Sequence, residues 1–301
     1  MLEGQAGLTW ERWQRLLNAA EEYGFQCMFR SDHFTIGPPD EESLETYVSL
    51  TFAASHTKNI EFSPCVSPTT FRNPALTVRM AAAICDLSGG RMLLGLGAGW
   101  HEREHKQFGI PFYDKATRFE MLTDALEITK RLRDSDTPVS YQGKHYSLED
   151  AILLERPKHY LRILIGGNGP KKTLPLAAQF ADEWNGVFID PAGYAERSAL
   201  LDGYLQERGR KSSDVKRSLM TQIIIGKDDA DLQRRLTHFG VDPSNMEESA
   251  KRIIGTPSAV VEKINEYAEA GVQRFALQWL QLDDMDGIEL IARDVLPHFH
   301  K

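Results

Sequence analysis

Short apolar runs alternate along this chain with longer stretches in which apolar residues return every three or four positions. Trp10, Trp13, Leu16, Leu17 and Ala20 share one helical face, with Thr9 placed to cap the helix and Gly24 to end it. "FQCMF" then reads as a short buried strand and "RSDHF" as the loop after it. A helix over 43–56 leads to the strand "IEFSPCV". A helix over 74–87, capped by Asn73, leads to the strand "RMLLGLG". Residues 114–133 form a long amphipathic helix through Phe119, Leu122, Leu126 and Ile128.

The alternation breaks over 134–160, where "VSYQGKHYSL" reads as an inserted hairpin turning at Gln142-Gly143. It resumes with "RILIGG", a helix from Pro170, "EWNGVFI", a helix over 191–208, "LMTQIIIG" and a charged helical stretch from Asp228. A helix bounded by Thr256, Pro257 and Gly271, the strand "RFALQWL" and a helix over 286–296 complete the pattern. Repeated strand–helix units, with a stub at 1–3 as a shortened first strand, predict an α/β fold. The expected form is one (β/α)8 TIM barrel over 1–301, with 134–160 inserted after the fourth βα unit. In such barrels the chemistry sits in the loops that follow the strands. Here those loops are "EGQAG", "RSDHF", "VSPTTFRN", "GAGWHEREH", "GGNGPKK", "FIDPAGY", "IGKDD" and "QWLQLDD".

The net charge of −8 argues against nucleic acid or an anionic membrane as a partner and leaves room only for a local basic pocket. Cys27, Cys65 and Cys85 show no C-x-x-C spacing, which points to a reducing, cytoplasmic setting rather than a disulfide framework. No apolar run reaches membrane-spanning length.

Two motifs carry candidate chemistry. His101-Glu102-Arg103-Glu104-His105 fits H-E-x-x-H, the spacing of two zinc-binding histidines on one helix face. It starts directly after a glycine-rich strand end, however, and is highly charged for a buried helix. We read it as one exposed turn, with His101–His105 and Glu102–Lys106 at helical spacing, and expect no metal; a zinc hydrolase through His101 and His105 is the remote alternative. Gly97, Ala98 and Gly99 end one strand, and Gly166, Gly167, Asn168 and Gly169 end another just before Lys172. Glycine there lets backbone approach a ligand, and a turn opening a helix suits a phosphate. Two such turns on one face suggest a flat, phosphate-bearing cofactor; the alternative is a pair of tight βα turns.

Taken together, "EGQAGLTWERW", "EEYGF", "RSDHF", "TTFRNPAL", "DLSGGRMLLGLGAGW", "EHKQFGIPF", "RFEMLTDALEI" and "LIGGNGPKKTLPLAAQFADEWNG" resemble the bacterial-luciferase-like superfamily, nearly end to end and in order. They are most similar to its branch that uses the deazaflavin coenzyme F420. The resemblance implies a homodimeric barrel with the deazaflavin in its C-terminal mouth, and hydride exchange between the deazaflavin C5 and a small organic substrate. FMN brings a phosphate to the same glycine turns, so an FMN-dependent monooxygenase is the alternative. By resemblance, Asp32 contacts the cofactor and His33 is the acid/base group, unless His33 only caps its loop. Cys65-Val66 matches a non-proline cis peptide behind the deazaflavin ring, and Gly166 and Gly167 match the turn whose N–H groups hold its phosphate.

Where related sugar-phosphate dehydrogenases carry a catalytic Glu, this chain has Trp100, and "FIDPAGY" lacks the basic residues a sugar phosphate needs. Trp100 is expected to wall an apolar pocket or to pack under its own loop. Glu3 and Gln278 are candidate pocket residues from opposite ends of the chain, and Arg118 is expected to be an ion-pair anchor rather than a phosphate contact. Relatives also carry a longer first strand before the segment matching "LEGQ", so either that strand is clipped here or the barrel closes on a very short one.

Overall fold

Strands apolar on both faces need cover on both sides, and a helix after each strand supplies it. The computed structural model describes residues 1–154 and 156–299. Its strands are β1 (Cys27–Arg30), β2 (Glu61–Pro64), β3 (Ser67–Pro68), β4 (Leu93–Gly97), β5 (Val139–Gln142), β6 (Ser147–Ala151), β7 (Arg162–Gly166), β8 (Glu183–Val187), β9 (Lys216–Ile225), β10 (Ile253–Gly255) and β11 (Arg274–Gln278). Parallel pairing runs from β1 to β2, through the Phe62–Met92 bridge to β4, and on through β7, β8 and β9 to β11. Leu2 closes the ring by bridging Arg30 on one side and Trp279 on the other. Its N–H donates to Phe29 O at 2.8 Å, and its carbonyl accepts from Ser31 N at 3.0 Å. The ring of the described residues thus closes on a very short strand at Leu2.

The helices are α1 (Trp10–Glu22), α2 (Thr46–His56), α3 (Pro74–Leu87), α4 (Glu102–Gln107), α5 (Lys115–Asp134), α6 (Thr173–Phe180), α7 (Pro191–Glu207), α8 (Asp229–Phe239), α9 (Met246–Ala250), α10 (Pro257–Glu269) and α11 (Met285–Asp294). The caps read from the sequence hold at Thr9 and Asn73, whose side chains accept from N–H groups of the first helical turn. Asp114, read as the first residue of its helix, caps α5 in the same way, and Thr256 stands at the cap of α10 without a side-chain bond. α6 starts at Thr173 rather than Pro170, because Gly169 O accepts from both Thr173 N and Leu174 N and closes a turn ahead of the helix. β10, which the hydrophobic pattern did not reveal, is too short to show a period and pairs with the far end of β9. No described helix is long and apolar enough to cross a membrane.

The main core lies between barrel and helices, and a smaller cluster of Phe29, Leu164 and Ala276, with Cys27, Cys65, Val66 and Met220 against it, fills the barrel. At one end Arg274 bonds Glu183 and Glu61, closing the lower layer with buried ion pairs. The β5–β6 hairpin is antiparallel, as expected, and is fastened to α5 by Asp124, which accepts from Tyr141 OH, His145 N and Tyr146 N.

Candidate active site

A cavity of about 1080 Å³ opens at the C-terminal ends of the strands. Its floor is built by what three residues lack or fold away. Cys65-Val66 is a cis peptide, after which the chain re-pairs with β4 as β3. The Val66 methyl groups lie where side chains at Gly97 and Gly166 would begin: a Cβ would meet Cγ2 at 2.5 Å and Cγ1 at 2.9 Å respectively. Two glycine strand ends and one valine thus form a low, apolar floor shared by three strands. Beside it the Cys65 thiol faces Asn185 Oδ1 at 3.5 Å, and burial pushes its pKa up, so it stays protonated.

Ser31 and His33 face the cavity, while Asp32 between them points away, as side chains alternate along extended backbone. His33 Nδ1 lies 2.7 Å from Glu104 Oε1, and Glu104 Oε2 accepts from Phe34 N at 2.9 Å. One fully buried carboxylate therefore fixes both the imidazole and the loop that carries it. With Nδ1–H committed to Glu104, Nε2 is the nitrogen left to exchange a proton. Burial works against the imidazolium, but the Glu104 hydrogen bond and charge, with smaller help from Glu3 and Asp32, outweigh it and hold the His33 pKa above its ordinary value. Because the folded value lies above the unfolded 6.5, the pair gives its full stabilisation below that pH and loses it as pH rises through the folded value. Glu104→Gln should therefore lower the His33 pKa, since burial remains and the compensating charge is gone. A ring-proton NMR titration measures this; an unmoved His33 would remove Glu104 from the account.

Trp100, 62% exposed, sets its edge against His33 with ring centroids 5.7 Å apart. Glu3 and Gln278 do meet at the cavity: Gln278 Nε2 donates to Glu3 Oε1 at 2.7 Å across the closing seam, and Gln5 Nε2 donates to Oε2 at 2.8 Å. The β1 loop supplies a rim through Ile36, Gly37, Pro38 and Pro39. That loop is tied to α4, where Arg103 donates to both oxygens of Asp40 at 2.7 Å. Phe34 also stacks on Phe71 at 4.4 Å and packs against Phe108 at 4.6 Å.

A model of the luciferase-like monooxygenase family matches residues 2–252. The chain belongs to that family. Its relatives include an F420-dependent glucose-6-phosphate dehydrogenase of Microbacterium testaceum, 28% identical over 94% of this chain and 91% of that protein. A 5,10-methylenetetrahydromethanopterin reductase of Archaeoglobus fulgidus is also 28% identical, over 92% of each. Among solved structures, an F420-dependent secondary alcohol dehydrogenase in complex with an F420-acetone adduct superposes with a TM-score of 0.84, at 20% identity and 98% coverage of both chains. The fold is the (β/α)8 barrel of this family.

Set against the family pattern, several residues fall elsewhere than the sequence implied. Asp32 does not line the cavity. Its carboxylate is buried against Arg72, at 2.6 and 3.2 Å, and accepts from Ser67 Oγ at 2.6 Å, so it braces the loop from behind. The Gly167 N–H donates to Asn185 O at 2.9 Å and is not free for a phosphate. The N–H groups of Asn168, Gly169, Lys171 and Lys172 have no acceptor among the described residues, and Thr173 beyond them lines the cavity. The Asn168 side chain clamps Val187, donating to its O at 2.6 Å and accepting from its N at 2.9 Å, while Lys172 is exposed outside the cavity.

Arg118 is no ion-pair anchor among the described residues. Its Nε donates to Gly99 O at 3.1 Å, and it lines the cavity. The H-E-x-x-H segment is not the exposed turn expected either. The Glu102–Lys106 pair is there at 2.8 Å, but Glu104 and His105 are fully buried. His105 has both ring nitrogens engaged, by Thr70 Oγ1 and His101 O, each at 2.8 Å, and His101 caps α4 from outside it. No group of three or more potential metal ligands forms among the described residues.

Proposed function

We propose that this chain is an F420-dependent oxidoreductase that moves a hydride between the deazaflavin C5 and a small organic substrate, with His33 handling the accompanying proton. The observation that carries this is the His33–Glu104 pair on the wall of a mouth cavity whose floor is Val66 and two glycine strand ends. The names of the relatives favour F420 over FMN. The cavity residues fit such a group. The bare floor at Gly97 and Gly166 accepts a flat ring, which a Cβ at either position would obstruct through Val66. The turn from Asn168 to Lys172, with free N–H groups ahead of α6, suits the cofactor's phosphate.

When bound, the deazaflavin supplies the hydride chemistry; the chain's residues supply position and the proton. Glu104 keeps His33 charged to a higher pH and aims Nε2 at the cavity, so a proton is held where a substrate oxygen gains or loses one. Trp100, Ile36 and the Pro38-Pro39 segment exclude water from that side. Trp100 in place of a carboxylate, and the absence of basic residues after β8, favour an apolar or aromatic carbonyl or alcohol over glucose 6-phosphate.

Titrating purified protein separately with oxidised F420 and with FMN, followed by fluorescence quenching and visible spectra, tests the reading. F420 is expected to bind with a micromolar or tighter dissociation constant, and FMN at least about tenfold more weakly. Preference for FMN would overturn the proposal in favour of a flavin monooxygenase, which oxygen consumption would then reveal.

A further inference from the structure

The first turn of α5 brings two cations to the cavity. Lys115 and Arg118 both line it, three residues apart on one helix face, and Phe119 and Leu122 continue that face along the same wall. Lys115 is exposed and has no carboxylate partner among the described residues. The Arg118 guanidinium lies over the Phe112 ring at 4.3 Å and is held by the Gly99 and Tyr113 carbonyls, through Nε and Nη1. Its Nη2 has no acceptor among the described residues.

Many other arginines of this chain, which carries a net charge of −8, end on carboxylates, as Arg72 does on Asp32, Arg103 on Asp40 and Arg274 on Glu183. Arg118 ends on carbonyls, with the Asp114 carboxylate in its field but not bonded to it. Two carboxylates share the cavity, but Glu3 is taken by Gln5 and Gln278, and Glu41 lies in the field of Arg12. A planar cation fixed on an aromatic ring with one arm without an acceptor among the described residues, beside an exposed lysine at a helix N-terminus, is arranged for an anion.

We propose that Lys115 and Arg118 form a second anion subsite, separate from the Asn168–Lys172 turn, that takes a carboxylate of the bound ligand. Two sources share that chemistry: the acidic tail that F420 carries beyond its phosphate, and an acid group on the substrate. The first source rests on the F420 reading; the second does not.

The test uses Lys115→Glu, at an exposed position without partners, and Arg118→Lys, which keeps the charge and loses the fork. Wild type and variants are titrated with F420, with the deazaflavin 5′-phosphate, which keeps the phosphate and lacks the acidic tail, and with benzoate added to the deazaflavin-bound protein. If the subsite takes the tail, Lys115→Glu weakens F420 about tenfold at low salt and less at high salt, and leaves the 5′-phosphate unchanged. If it takes the substrate's acid, both deazaflavins bind as in wild type and the benzoate response is lost. Equal weakening of F420 and the 5′-phosphate, or variants matching wild type in all three titrations, would overturn the subsite. Should wild type bind neither deazaflavin, the F420 reading falls by itself. Benzoate and a fluorescently labelled triglutamate, titrated onto the protein alone, then decide the subsite: loss in Lys115→Glu sustains it, and no difference ends it.

Discussion

His33→Asn is expected to lower turnover by about 10²–10⁴-fold while leaving F420 affinity nearly unchanged. Asparagine keeps a polar group in reach of Glu104 and removes the one nitrogen able to carry a proton at neutral pH. The floor of Val66, Gly97 and Gly166 and the turn after β7 are untouched, so binding should survive. Single-turnover bleaching of the deazaflavin, with a substrate found by screening ketones, enones and alcohols, measures the step directly. The pH profile adds a second reading. Wild type should show a basic limb set by the raised His33 pKa, and the variant should lose that limb. Turnover within a fewfold of wild type would assign the proton to another group and leave His33 as a loop brace.

The largest effect on stability is expected at Gly95, in the middle of β4. A Cβ there would lie 1.9 Å from the Pro64 carbonyl oxygen and 3.1 Å from Ser63 Oγ. The first contact is with backbone of the neighbouring strand, so relief requires β2 and β4 to separate. Gly95→Ala should therefore destabilise the protein by about 3 kcal/mol or more, read as a fall in the urea midpoint. Gly97→Ala makes a useful contrast, because its closest neighbour is a Val66 methyl group at 2.5 Å, which is side chain. That variant should lose less stability and more cofactor affinity. Equal midpoints for wild type and Gly95→Ala would mean that the strands accommodate what the geometry forbids.

Most of the frame was legible because strands and caps announce themselves locally. Asn73 before Pro74 and Thr9 before Trp10 mark helix starts by chemistry that needs no tertiary partner. The glycine strand ends and "SDHF" were legible as loop chemistry for the same reason. What stayed hidden depended on orientation or on distant partners. Asp32 and His33 are neighbours in sequence, and only the extended backbone reveals that His33 faces the cavity and Asp32 faces Arg72. Glu104 escaped because the H-E-x-x-H spacing drew attention to its neighbours, and because a carboxylate in a charged run reads as solvated. Its burial makes sense only once His33 and Phe34 N, some seventy residues earlier, are placed against it. Phe119 and Leu122 were legible as an apolar face of α5, but whether that face meets core or cavity is a tertiary fact.

The seam between the β1 loop and α4 constrains how this protein can change. Glu104 secures His33 and the backbone of Phe34 together, and Arg103 holds the same loop through Asp40. The aperture on that side and the aim of the imidazole are thus one mechanical unit. A lineage that widened the mouth there would move the His33 imidazole in the same step. The wall formed by α5 and the end of β8 carries no bond to His33 or Glu104 among the described residues. Phe119, Leu122 and Phe188 line it, so exchanges among them can reshape the chamber while the His33–Glu104 geometry is kept. Divergence in substrate range is then expected to accumulate on the α5 and β8 side, with the β1 loop changing last.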